Sequence, residues 1–108
     1  MDKEFQLYQE IAAKISKNEN IVIGQMFGKP SLKINGKAFA CFFQNEMVFK
    51  LQGDMFKEAI ALDGSKLFDP SGKGRAMKEW VQVPYKYSER WEKYAVFALE
   101  NVKFMLNR

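Results

Sequence analysis

The stretch INGKAFACFF, residues 34–43, decides how this chain is read. It opens on Asn35-Gly36, the pair that best tolerates the two positive-φ positions of a tight hairpin turn. An apolar run follows almost without a break, where a half-buried strand would alternate apolar and polar residues. A two-residue turn sets Ile34 opposite Lys37 and Leu32 opposite Phe39, and cross-strand partners share a face. Leu32, Ile34, Phe39, Cys41 and Phe43 then point one way. Ser31, Lys33, Ala38, Ala40 and Phe42 point the other. A three-residue turn at Gln44, Asn45 and Glu46 adds Met47, Phe49 and Leu51 to the first side, and Val48 and Lys50 to the second. The first side is the expected core. The second is a trough floored by Ala38 and Ala40 and walled by Lys33, Phe42 and Lys50. An antiparallel sheet can leave such a face in water. The same small residues also suit a docking surface for a helix, a second copy of the chain or another protein.

Working outward, residues 3–16 read as a helix. Phe5, Tyr8, Ala12 and Ile15 recur at spacings of three and four, and Asp2 is placed to cap it. Residues 21–51 read as a four-strand meander, with Pro30 restricted to a strand start or an edge. Residues 54–62 read as a short helix capped by Asp54. KLFDPSGKGRAMKEWVQVP, from Lys66 to Pro84, holds a short strand, a Gly-rich turn and a second strand at Met77–Val83. Residues 88–106 form the clearest helix, capped by Ser88. Trp91, Tyr94, Ala95, Ala98, Leu99, Val102, Met105 and Leu106 line one broad face. The order is α-β4-α-β2-α. The expected fold class is α+β: one domain over residues 1–108, two layers, an antiparallel sheet with helices mainly on one face.

Composition removes most catalytic chemistry. The 108 residues are 47% apolar and 15% aromatic, enough for a core without metals or disulfides. There is no histidine, so the commonest general base and metal ligand is missing and no His-based triad can form. One cysteine, Cys41, cannot build a zinc site or an internal disulfide, and it reads as a small buried hydrophobe. No metal, cofactor or catalytic residue is expected, and the chain reads as non-enzymatic. The lone thiol points to a reducing, cytoplasmic setting. The acidic, amphipathic N-terminus is not that of a signal peptide, and no apolar run approaches the ~20 residues that span a bilayer.

The net charge is +4, with the surplus gathered at residues 66–78, where Lys66, Lys73, Arg75 and Lys78 face only Asp69. In PSGKGRAMK, residues 70–78, Gly72 and Gly74 could expose backbone N–H groups to an anion. Lys73, Arg75 and Lys78 are the candidate anion-binding side chains. The P-loop pattern is absent, because its glycine spacing, its GK[ST] ending and a following helix are all missing. A flexible, solvated hairpin turn is the better account of the stretch. Phosphate-dependent nucleic-acid binding uses about 6–10 backbone contacts. The cluster alone offers four, and Lys33, Lys37 and Lys50 could extend it. Trp80, Phe42 and Tyr85 could stack on bases, although Trp80 and Trp91 read better as core.

Taken in order, QMFGKPSLKINGKAFACFF, MVFKL, LFDPSGKGRAMKEWVQVP and WEKYAVFALENVK resemble the N-terminal domain of the TfoX/Sxy family, from about Gly24 to Val102. Met26-Phe27-Gly28, Asn35-Gly36 with Phe39-Ala40, Met77 with Trp80 and Pro84, and Trp91 with Tyr94-Ala95 carry the likeness. The chain departs from it at Lys29-Pro30-Ser31, where a second glycine is common. The resemblance implies a small α+β domain without catalytic residues. Full-length members regulate natural competence genes and carry a second, helical C-terminal domain, for which this length is expected to leave no room. The expected function is therefore a protein-interaction or regulatory module, with an unknown protein or a second copy as partner. Weak nucleic-acid binding through residues 70–78 is the alternative.

Overall fold

The Asn35-Gly36 turn forms as its residues dictate. Both adopt positive φ, 50° and 81°, and Ile34 pairs with Lys37. The structure, a computed structural model, describes residues 2–17, 20–26, 28–74 and 76–106. Helix α1 spans Lys3–Ser16. Strands β1 (Ile21–Met26), β2 (Lys29–Ile34), β3 (Lys37–Phe43) and β4 (Glu46–Lys50) follow as a meander. Then come α2 (Gly53–Ile60), β5 (Lys66–Phe68), β6 (Met77–Val83), a 3-10 turn (Tyr85–Arg90) and α3 (Trp91–Leu106). The strands form one antiparallel sheet in the order β1-β2-β3-β4-β6-β5. The fold is α+β, as expected. Pro30 stands where β2 has β1 on one side and no paired residue of β3 on the other, so its missing N–H costs the ladder nothing there.

Just past the turn the pairing departs from uniform register. Lys33 pairs with Ala38 and Leu32 with Ala40, which leaves Phe39 as an extra residue in β3. This is a β-bulge. Phe39 and Ala40 both join the main core and are fully buried. Beyond the bulge every side chain of β3 is reversed. Ala40 and Phe42, expected in the trough, lie beneath the helices, while Cys41 and Phe43, expected in the core, lie on the far side. The gain is visible at Phe42, whose ring packs 5.3 Å from Phe5 and 5.5 Å from Tyr8 of α1. The next turn is also shorter than expected. Phe43 pairs with Glu46, so only Gln44 and Asn45 make the bend, with φ of 51° and 63°. One residue added by the bulge and one removed at the turn cancel. Met47, Phe49 and Leu51 therefore stay on the core side.

The helices cover that side. Tyr8, Ile11, Ala12 and Ile15 of α1 are buried there, with Trp91, Tyr94, Ala95, Ala98, Leu99 and Val102 of α3. Tyr94 meets Phe49 edge-on at 5.7 Å. The side chains of Met105 and Leu106 lie outside the described residues. Helix α3 starts later than expected. Pro84, at φ −66° and ψ 157°, leads into the 3-10 turn, so Ser88 sits inside that turn and caps nothing. Helix α2 starts from Gln52, with Asp54 in its first turn, where a carboxylate favours the helix dipole.

The far side of the sheet has a smaller core of its own, Cys41, Val48, Phe68 and Trp80, flanked by Ala38, Phe43 and Met77. Phe68 reaches it from β5, 5.2 Å from the ring of Phe43 and 6.5 Å from that of Trp80. In β6, Glu79 adopts φ +70°, and its carbonyl accepts from the Leu51 N–H at 2.8 Å. A side chain in that region carries a penalty of about 1–2 kcal/mol, part of which glycine returns through its freer unfolded chain. Glu79→Gly is expected to stabilise the fold by about 0.5–1 kcal/mol in urea denaturation, and Glu79→Ala to give no such gain.

Candidate functional site

The five residues expected to form the trough are divided by the bulge. Lys33, Ala38 and Lys50 are half-buried on the far side, and Ala40 and Phe42 are in the main core. No trough of small residues forms. Where it was expected, Cys41 and Val48 are fully buried under Phe68 and Trp80. Burial pushes the Cys41 thiol up to about 12, so almost none is thiolate near neutrality. Native protein is expected to react with a disulfide reagent such as DTNB only at the rate of unfolding, and denaturant should release one rapidly reacting thiol per chain.

The Gly-rich loop is also built differently from its expectation. Gly72 and Gly74 do adopt positive φ, 68° and 80°. Their N–H groups are not open to a ligand. Gly72 donates to Asp69 Oδ1 at 3.0 Å and Gly74 to Asp69 Oδ2 at 2.9 Å. The Ser71 hydroxyl donates to Oδ1 at 2.9 Å and in turn accepts from the Lys73 N–H. The Ser71 hydroxyl first, then the backbone donors, hold the Asp69 carboxyl below its usual range. The chain's own carboxylate fills the anion position. Lys73 is exposed within the loop, Lys78 is exposed on β6 beside a separate cavity lined by Gln52 and Phe56, and Arg75 lies outside the described residues.

This loop and the Gln44-Asn45 turn frame a cleft of about 570 Å³. Phe43 forms one wall, Lys66 and Asp69 lie on the loop side, and Gln82 contributes its amide. Gln82 is 2% exposed, and its Nε2 donates to Glu46 at 2.7 Å. Sequence reasoning passed over Gln82. The signal was there in WVQVP, residues 80–84, where one polar residue alternates with Val81 and Val83 and so must share the side of Trp80.

The two edges of the sheet differ sharply. Strand β5 is three residues long, carries Lys66 and runs into Asp69-Pro70, all devices that discourage pairing. Strand β1, IVIGQM, is six residues long and has no charge and no proline. Val22 is 59% and Ile23 61% exposed.

The densest titratable cluster joins α2 to α3. Glu58 Oε2 accepts from the Tyr94 hydroxyl at 2.6 Å and from Arg90 and Lys93 at 3.2 Å. The Tyr94 and Lys93 bonds hold the Glu58 carboxyl below its ordinary value of 4.5, and burial, reinforced by Glu58, pushes Tyr94 up to about 12. Of the cluster only Lys93 lines one of these cavities, beside Glu89, Glu92, Val96, Phe97 and Glu100, and Glu58, Arg90 and Tyr94 line none of them, so the cluster reads as a clasp between helices. Among the described residues no acidic or thiol group gathers with enough others to hold a metal, and no helix is long and apolar enough to cross a membrane. Compared with family models, with curated proteins and with solved structures, the chain gives no match.

Because folding lowers the pKa of Glu58, the clasp contributes fully above the ordinary carboxylate value and is lost as acid carries the pH through the lower, folded one. Thermal melts should therefore show Glu58→Gln less stable than wild type near neutrality. The difference should shrink below about pH 4.

Proposed function

We propose that this domain is a non-enzymatic interaction module that works by strand addition at β1, with a second copy of the chain as partner. The observation that carries this reading is the uncharged, apolar outer edge of β1. An edge strand presents a row of backbone donors and acceptors, and a strand laid beside it completes their hydrogen bonds. The lack of charge along β1 leaves a second copy no local repulsion to overcome there. The chain carries +4 overall, and each of the other five strands contains at least one lysine. Self-pairing at β1 sets no like charges opposite one another, and it covers Val22 and Ile23. The TfoX/Sxy resemblance is consistent with a regulatory setting for such a module. The alternative, nucleic-acid binding through residues 70–78, is weakened by the loop's own use of its N–H groups on Asp69.

Light scattering across a wide concentration range is expected to show wild-type dimers, and amide exchange to show protected N–H groups in β1. Ile23→Lys places a charge on the edge at an exposed position and should give a monomer with an unchanged circular dichroism spectrum. A wild-type monomer at every concentration, with β1 amides exchanging as fast as those of the loops, would overturn the proposal.

A further inference from the structure

The cleft beside the Gly-rich loop is independent of the β1 edge, and its chemistry is specific enough to name a ligand class. Its volume, about 570 Å³, falls within the range of small-molecule sites. Gln82 and Lys66 are cross-strand partners on β6 and β5, so their side chains stand on the same side of the sheet. The orientation of the Gln82 amide follows from chemistry. Glu46 can only accept, so the group facing it at 2.7 Å is Nε2, and the carbonyl oxygen is directed elsewhere. That oxygen has no donor among the described residues, and it is not sealed from solvent. A buried amide held in one orientation, with its acceptor open to a cleft, reads an N–H group on a ligand. Phe43 lines the cleft with its ring packed edge-on to Phe68 at 5.2 Å, and the exposed Lys29, its ammonium 5.5 Å from the ring centroid, must swing aside for a flat ring to lie there; Lys66 is a second exposed cation on the lining. Asp69, the one anion among the described lining residues, is already engaged by the loop's donors.

We propose that this cleft binds a mononucleotide: the base lies against Phe43 with a ring or exocyclic N–H donated to Gln82 Oε1, and the phosphate faces Lys66. Free nucleotide and the end of a nucleic-acid strand share this chemistry. The test is a 1H–15N NMR titration with UMP, AMP, uridine, ribose 5-phosphate and a short single-stranded oligonucleotide. Mononucleotides are expected to move the Gln82 side-chain amide and the backbone of residues 43–46 and 66–72. Uridine should move the same signals with weaker affinity, and ribose 5-phosphate should leave the Gln82 amide in place. A strand end as the natural source would show the oligonucleotide binding more tightly than UMP at equal salt. Gln82→Met is expected to weaken UMP about tenfold, the worth of one hydrogen bond. Lys66→Ala, at an exposed position that leaves the fold intact, should weaken UMP and leave uridine unchanged. The proposal fails if ribose 5-phosphate reproduces the UMP shifts, if no nucleotide moves these signals at millimolar concentration, or if Lys66→Ala affects uridine and UMP alike.

Discussion

Everything on the two sides of the sheet depends on one extra residue. Phe39 has no partner of its own in β2, and its insertion turns the rest of β3 over. Without it, Phe42 would stand on the side away from α1 and Cys41 would take its place in the main core. Burying a phenylalanine side chain contributes about 1.5–3 kcal/mol, more than cysteine returns from the same position. The ring of Phe42 lies between those of Phe5 and Tyr8, and it ties the first helix to the centre of the sheet. The same inversion hands Cys41 and Phe43 to the far side, where Phe68 and Trp80 close over them. A chain of this size thus buries apolar surface on both faces of its sheet.

Most of the secondary structure was legible in the residues. Asn35-Gly36 announced its turn, the three-and-four spacing in residues 3–16 announced a helix, and Met77–Val83 was read at its observed bounds. What could not be read was the bulge. A bulge of this kind needs no glycine and leaves no mark in composition. It is decided by which side chains fill the space under α1, a question of packing between segments far apart in the chain. The second turn was misread for a related reason. Gln44 and Asn45 both take positive φ, a geometry that glycine usually signals, and here neither residue is glycine. Two errors of one residue each cancelled, which is why Met47, Phe49 and Leu51 were placed correctly while Ala40 and Phe42 were not.

The candidate sites follow the same pattern. The glycines of residues 70–78 were read as able to expose N–H groups to an anion, and those of Gly72 and Gly74 bond Asp69 instead. The occupant was missed, although Asp69-Pro70-Ser71-Gly72 is a sequence in which an aspartate commonly bonds backbone groups ahead of it. The lysines around the loop remain exposed, so its surface is basic while its interior is already neutralised. Gln82 went unread because an isolated polar residue in an apolar strand carries little meaning until its neighbours in space are known. The proposed partner surface lies not on the face of the sheet but at its rim, where the residues of β1 had been counted only as a strand.

That rim has a geometric consequence. A sheet with two open borders can add copies without limit, and the result is a fibre. Here one border is short, cationic and followed by proline, and a single border is open. A twofold contact between open borders uses up both, and the twelve-stranded sheet it makes ends on guarded strands at either extremity. In the proposed dimer the arrangement closes on itself, and growth stops at two chains.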